Sequence, residues 1–227
     1  MAAAYEVARP GYPAAAVEWL TGAGPLDVVD LGAGTGKLTR QLVAAGHRVV
    51  AVEPLSEMRA VLGRAVPATR VVEGCAEAIP LPDASADVVT VAQAFHWFDQ
   101  EVALVEIARV LRPEGRVALT WNVRDEREEW VAELSDAMGG RTGVEHAAAI
   151  DASGLYGTVE QACFDHVQEL GRVALRDLVL SRSHCAVLAE EERAPILERV
   201  DQLFGEHARD DVIRLPYTTE CFRAARR

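Results

Sequence analysis

Apolar residues in the first half of the chain fall in short, β-branched runs at residues 26–31, 49–52, 70–72, 88–91 and 117–121. None of these runs alternates strictly with polar residues. A strand that is apolar on both sides needs cover on both sides. When such strands are separated by helical patterns, the arrangement that supplies the cover is a parallel, doubly wound sheet. The pattern predicts an α/β fold with helices on both faces.

The segments between the runs carry helical spacing and end signals. In residues 37–45, Leu38 and Leu42 stand one turn apart, and Gly46 follows where a left-handed residue can close a helix. Asp99 is placed as an N-cap ahead of the stripe Leu104, Ile107 and Leu111, and Pro113 with Gly115 stops that helix. Residues 13–20 read as a short helix with Pro13 in its first turn. Beyond the fifth run the order changes. Residues 128–138 read as a helix, GGRTG at 139–143 as a break, and 189–207 as a helix with Ile196, Leu197, Val200, Leu203 and Phe204 on one face. Pro195 belongs in the first turns of that last helix or kinks it. The stretch VIRLPYTTECF reads as a final strand at or near a sheet edge, because Pro216 has no N–H to give a ladder. One structural domain is expected, with an N-terminal segment at 1–24, a core at 25–123 and a sheet-completing region at 124–227.

Composition adds exclusions. The 227 residues are half apolar and carry a formal charge of −12, with no dense Lys/Arg cluster, so a phosphate backbone is a disfavoured partner and a small molecule a favoured one. Cys75, Cys163, Cys185 and Cys221 are scattered, with no CxxC pair and no metal-ligand spacing, which predicts reduced thiols, no metal site and a cytoplasmic protein. No apolar run is long enough to span a bilayer, and the first residues lack the apolar core of a signal peptide.

The candidate chemistry begins at DLGAGTGK, residues 30–37. A phosphate loop requires GxxxxGK followed by Ser or Thr. Here the gap from Gly32 to Gly36 is one residue short, and Leu38 stands in place of the hydroxyl. A dinucleotide fingerprint, GxGxxG, would put its third glycine at Lys37. A glycine turn that holds no ligand also fits the loop taken alone. Context changes the weight, because Glu53 ends the second run 23 residues after Asp30, where a carboxylate can accept hydrogen bonds from both hydroxyls of a ribose.

In VVDLGAGTGKLT, AVEPLSEM, EGCAEAIPLPDASADVV, AQAFHWFD and EIARVLRPEGRVAL, in that order, the chain resembles the class I S-adenosylmethionine-dependent methyltransferases, in the small-molecule branch with a type 11 methyltransferase domain. YEVARPGYP, HWFD and LPYTTECFRAARR look like the subgroup that includes trans-aconitate methyltransferase-like proteins. The resemblance implies a Rossmann-like seven-stranded sheet, mostly parallel with an antiparallel last strand. It also implies S-adenosyl-L-methionine as cofactor, with S-adenosyl-L-homocysteine as product. By the same resemblance Asp30 orients the donor's ammonium group, and Gly32 and Gly34 let the backbone approach its methionine part. Glu53 holds the ribose, while Pro54 and Met58 line one adenine face. Cys75 stands where many relatives place an aspartate for the adenine amino group, so that bond is either missing here or supplied by Glu77 or the Ala76 backbone. Gln93 lends a backbone carbonyl to the ammonium.

The acceptor side is less legible. His96 is the candidate to orient an acceptor or take its proton, and Trp97 the candidate apolar wall, although with Phe98 the rings could simply close the end of the sheet. Arg9 and Arg124 are candidates to pair with an acidic substrate, or are solvated surface arginines. Tyr5 and Tyr12 belong, by the resemblance, to a lid over the donor. The expected reaction is direct displacement by an oxygen, nitrogen or carbon nucleophile, a carboxylate included, in a monomer or homodimer. The alternatives are a protein that binds the donor without transferring its methyl group, and a nicotinamide-dependent oxidoreductase.

Overall fold

The computed structural model describes residues 9–138, 146–181, 185 and 188–227. The N-terminal part of the expected lid, Tyr5 included, and the GGRTG break lie outside these residues. Helix α1 (Ala14–Thr21) leads into β1 (Asp27–Leu31), α2 (Lys37–Ala44), β2 (Arg48–Val52), α3 (Ser56–Ala65) and β3 (Arg70–Val72). Then come β4 (Ala86–Ala92), a 3-10 turn (Phe95–Trp97), α4 (Gln100–Val110) and β5 (Leu111–Arg124). The remainder is α5 (Glu129–Ala137), α6 (His146–Ser153), β6 (Glu160–Leu170), α7 (Arg172–Leu180), α8 (Glu190–His207) and β7 (Ile213–Ala225).

The strands form one seven-stranded sheet in the order β3-β2-β1-β4-β5-β7-β6. Parallel pairing runs from β3 through to β5, with Val29 of β1 level with Val50 of β2 on one side and Val89 of β4 on the other. β1 and β4 occupy the middle, which is why their residues are buried on both faces and their sequences do not alternate. β7 runs antiparallel to its neighbours: the Asp125 N–H meets the Pro216 carbonyl at one end of β5, and the Arg226 N–H meets the Gly115 carbonyl at the other.

β7 lies one strand in from the sheet edge, which β6 forms, in keeping with a strand at or near an edge. Its proline is tolerated because Pro216 faces Asp125, one residue past the end of β5, so the missing N–H falls where the ladder has already finished. The true edge, β6, alternates exposed and half-buried positions along its length, with Asp165, Gln168 and Glu169 interleaved among apolar residues. A search for unbroken apolar runs passes over such a strand.

Two of the helix end signals are realised in detail. The Gly46 N–H bonds the Val43 carbonyl and the His47 N–H bonds the Leu42 carbonyl, with Gly46 at φ 89°, the double closure of a Schellman turn. The Asp99 side chain accepts from the Val102 N–H at 3.3 Å, and Leu104 and Ile107 are buried as their spacing predicts. The helix already ends at Val110, however, so Leu111 opens β5, and Pro113 and Gly115, expected to stop the helix, lie within that strand.

The chain groups into two compact units. The larger holds Gly11–Asn122, Val144–Phe164 and Thr219–Arg227; the smaller holds the rest of the described chain. In the larger, Ala16, Val17 and Leu20 of α1 and Leu38 and Leu42 of α2 pack with Tyr12 on Val28, Val49 and Val88 of the sheet. In the smaller, Val131 and Leu134 of α5, Leu175 and Leu178 of α7, and Val200, Leu203 and Phe204 of α8 close over Ile213, Leu215 and Tyr217 of β7.

Candidate functional site

The residues expected to hold the donor all lie in the larger unit. They sit where β1, β2 and β4 end, in the crevice outside the carboxyl ends of parallel strands where doubly wound folds bind ligands. Three glycines of the loop after β1 have positive φ, with Gly32 at 68°, Gly34 at 58° and Gly36 at 90°. They differ in what surrounds them. A Cβ at Gly32 would stand 2.9 Å from the Ala94 Cβ and 3.3 Å from Phe98, and one at Gly36 2.9 Å from Leu62, so both glycines serve close internal packing. A Cβ at Gly34 would meet nothing within 4 Å. The loop therefore presents bare backbone to open space at its middle glycine.

Two carboxylates support this loop. Asp30, at 1% exposure, accepts hydrogen bonds from the hydroxyls of Thr39 at 2.5 Å and Thr90 at 3.2 Å. Burial, only partly offset by those hydroxyls and reinforced by the nearby charge of Glu53, pushes its carboxyl up to about 6. Glu53 is 5% exposed and bridges two segments, accepting the Gly34 N–H on one oxygen at 2.9 Å and the Leu55 N–H on the other at 3.0 Å. Each oxygen retains a second acceptor position, the arrangement that suits two neighbouring hydroxyls. The Arg59 guanidinium caps the Glu53 and Pro54 carbonyls instead of the Glu53 carboxylate. Thr35, inside the loop and 2% exposed, has a side-chain oxygen with no hydrogen-bond partner.

Around this centre, Pro54 is exposed and Met58 half-buried on the first turn of α3. Cys75 is exposed and Ala76 buried in the tight turn closed by the Cys75–Ala78 bridge. Burial alone would raise the Glu77 carboxyl, but the N–H groups of Asp99 and of Glu77 itself, with the Cys75 thiol, outweigh it and hold the group below the usual range. Glu77 is thus ionised and bonded to the Asp99 N–H at 2.9 Å. Gln93 has φ 58°, a left-handed conformation rare for a side-chain-bearing residue. Its N–H donates to the Thr120 carbonyl at 2.9 Å and its side-chain amide to the Asn122 carbonyl at 3.4 Å.

The aromatic residues after β4 separate into two pairs. Phe95 is fully buried and meets Phe98 edge-on at 6.0 Å, behind Gly32. His96 and Trp97 are exposed, Trp97 at 71%, with their rings 5.0 Å apart. The rings therefore do not all close the end of the sheet. Tyr12 is buried in the core beside α1, and its main chain exchanges two hydrogen bonds with the Gln41 side chain. Arg9 and Arg124 belong to the smaller unit. Arg9 holds Ser181 through both its side-chain oxygen and its carbonyl at 3.1 Å, and the buried Arg124 donates to the Ser135 hydroxyl at 2.7 Å. Neither is a solvated surface arginine.

A bare glycine loop over two buried carboxylates suits a ligand that carries a cation and a ribose, the donor set of an S-adenosylmethionine site. The chain belongs to the class I S-adenosylmethionine-dependent methyltransferase family. Residues 29–119 match a methyltransferase domain of type 11. The chain is 47% identical over 224 residues to an uncharacterized methyltransferase of Mycobacterium tuberculosis, covering 97% of this chain and 92% of that one. An uncharacterized methyltransferase-like protein of Schizosaccharomyces pombe is 34% identical over 233 residues, covering 96% and 91%. Among solved structures, a phosphoethanolamine N-methyltransferase of Haemonchus contortus in complex with S-adenosylhomocysteine superposes with a TM-score of 0.59 at 18% identity, covering 99% of this chain and 56% of that one.

Proposed function

We propose that this chain binds S-adenosylmethionine in the crevice after β1, β2 and β4 and methylates a small-molecule acceptor. The observation that carries the reading is the Glu53 carboxylate, which holds the Gly34 N–H while keeping free acceptor positions at the mouth of the glycine loop. The residues present fit the donor. Gly34 leaves room for close approach, and buried Asp30 offers a carboxylate held by the Thr39 and Thr90 hydroxyls and the Thr39 backbone. When bound, S-adenosylmethionine supplies a methyl group on a positively charged sulfur that a nucleophile displaces directly.

Each residue then has a stated task. Asp30 and the Gln93 carbonyl orient the ammonium group, Glu53 receives the ribose hydroxyls, and Pro54 and Met58 cover one adenine face. The adenine edge meets Cys75 and Ala76, since Glu77 is already bonded to Asp99. His96 orients the acceptor or takes its proton, and exposed Trp97 gives it an apolar wall. Most of the rate enhancement comes from alignment of the two reactants, worth about 7–11 kcal/mol in well-oriented systems. Acceptor classes include oxygen, nitrogen and carbon nucleophiles. A carboxylate acceptor would need no base.

Calorimetric titration of the full chain with S-adenosylmethionine and with S-adenosylhomocysteine tests the donor site. Saturable heat and a raised melting temperature are expected with both, and folded protein that shows neither refutes the reading. A protein that binds both compounds yet methylates nothing across a broad acceptor panel would instead be a donor-binding protein. That second reading draws on Cys75, which puts a thiol where many relatives place an aspartate.

A further inference from the structure

We infer that Asn122, the last residue of β5 in the larger unit, is a positioning residue for the donor turn, coupling the segment ahead of α1 to Gln93; the inference rests on the donor site proposed above. Three bonds converge on Asn122. Its backbone carbonyl accepts the Gln93 side-chain amide at 3.4 Å, its own amide donates to the Gly11 carbonyl at 2.9 Å, and its side-chain oxygen accepts the Thr219 hydroxyl at 2.6 Å.

The Gly11–Tyr12 segment is held from two directions. Asn122 grips the Gly11 carbonyl, and Gln41, on the helix that follows the glycine loop, exchanges hydrogen bonds with the Tyr12 N–H at 2.9 Å and the Tyr12 carbonyl at 2.5 Å. A strap of main chain is thus tied at one end to the helix carrying the glycine loop and at the other to the strand that holds Gln93. Gln93 needs such support. A side-chain-bearing residue at φ 58° persists only where its surroundings over-determine it, and here both its N–H and its side-chain amide are tied to β5. Among the described residues no donor meets the Gln93 carbonyl, so the strained turn leaves that acceptor available. Asn122 sets where the end of β5 lies, and so where the turn lies; the strap fixes Asn122. The polar chain from Gln41 through Gly11 and Asn122 to Gln93 makes the two sides of the donor crevice one mechanical unit.

The test is a double-mutant cycle read by calorimetry with S-adenosylhomocysteine. Asn122→Ala removes two side-chain hydrogen bonds, to the Gly11 carbonyl and from the Thr219 hydroxyl. It is expected to weaken binding about fivefold, the worth of one neutral hydrogen bond transmitted to the site, mainly through faster dissociation. Gln93→Gly takes the left-handed conformation without strain and needs no such support, so Asn122→Ala in a Gln93→Gly background is expected to weaken binding less than twofold. Thr219→Val removes the hydroxyl that β7 donates to Asn122 and leaves the Asn122–Gly11 bond in place, and its effect should be smaller than that of Asn122→Ala. Equal effects of Asn122→Ala in the two backgrounds, or a Thr219→Val effect as large as that of Asn122→Ala, would overturn the inference. Wild-type protein that binds no S-adenosylhomocysteine would refute the donor site itself, a separate result.

Discussion

Asp30 is the residue at which stability and binding should pull in opposite directions. Its carboxyl is buried at the end of the central strand β1, bonded by two hydroxyls and the Thr39 backbone and, among the described residues, by no cation, and it is pushed up to about 6 where an exposed aspartate titrates near 3.8. At about 1.4 kcal/mol for each tenfold change in proton affinity, keeping it ionised at pH 8 costs about 3 kcal/mol. The sign follows from the raised value. The folded state holds the proton more tightly than the unfolded state, so this contribution to stability is complete below pH 3.8 and disappears as pH rises through about 6.

Asn at this position keeps the shape, and the Thr39 and Thr90 hydroxyls can rotate to meet an amide, while the charge is gone. Urea unfolding of wild type and Asp30→Asn at pH 5 and pH 8 should show a variant that gains on wild type as pH rises, by about 1.5 kcal/mol between those two values. The same variant should bind S-adenosylmethionine more weakly, because a cationic amino group meets an amide in place of a carboxylate. For the same reason wild-type affinity should climb from pH 5 to pH 7 as Asp30 ionises. A stability gap that is flat with pH would refute the argument, since a purely steric or hydrogen-bonding effect of the substitution does not titrate.

Three further substitutions probe distinct parts of the structure. Glu53→Gln replaces charged acceptors of the Gly34 and Leu55 N–H groups with a neutral amide, and should weaken S-adenosylhomocysteine binding tenfold or more by calorimetry, each charge-assisted bond being worth about 1.5–3 kcal/mol. Gly32→Ala should lower stability by at least about 1–2 kcal/mol in denaturant titration, because φ 68° is left-handed and the new methyl group meets the Ala94 Cβ at 2.9 Å. Tyr156→Phe removes a buried phenol that donates to the Leu104 carbonyl at 2.7 Å. It should cost about 1 kcal/mol of stability and leave donor affinity unchanged, which separates folding effects from site effects.

What the sequence revealed, it revealed where one physical requirement dominates. The unbroken apolar runs of β1 and β4 follow from burial on both faces, and the end of α2 follows from the one glycine that can close it. The edge strand β6 escaped because half of its positions face solvent, and solvent tolerates any polar residue there. Pro216 placed β7 at or near an edge, and the strand lies second from it, with the proline where β5 has already ended. At the proposed donor site, Asp30, Gly34 and Glu53 were legible because their spacing along the chain reflects consecutive strand ends. Asn122 was not: its partners Gly11, Gln93 and Thr219 lie far from it in sequence, and nothing in an isolated asparagine announces three converging bonds. Arg9 and Arg124 show the converse. A charge near a presumed cleft looks available until the structure gives it Ser181 or Ser135.

The choice of cofactor turns on charge more than on the glycines. A pyrophosphate brings two negative charges to a loop, and the loops that hold it offer N–H groups, a helix N-terminus and a neutral or basic floor. Here the helix N-terminus is present, with Gly36 and Lys37 at its start, but the floor consists of Asp30 and Glu53, and Glu53 already raises the cost of ionising Asp30. Adding phosphate to that floor compounds the repulsion, whereas an ammonium and a sulfonium relieve it. A nicotinamide dinucleotide should therefore fail to displace S-adenosylhomocysteine in a competition titration at pH 8, where Asp30 is ionised. Lowering the pH to 5, which protonates Asp30, should weaken S-adenosylhomocysteine. Tight dinucleotide binding at pH 8 would show that the two carboxylates do not decide what the loop accepts.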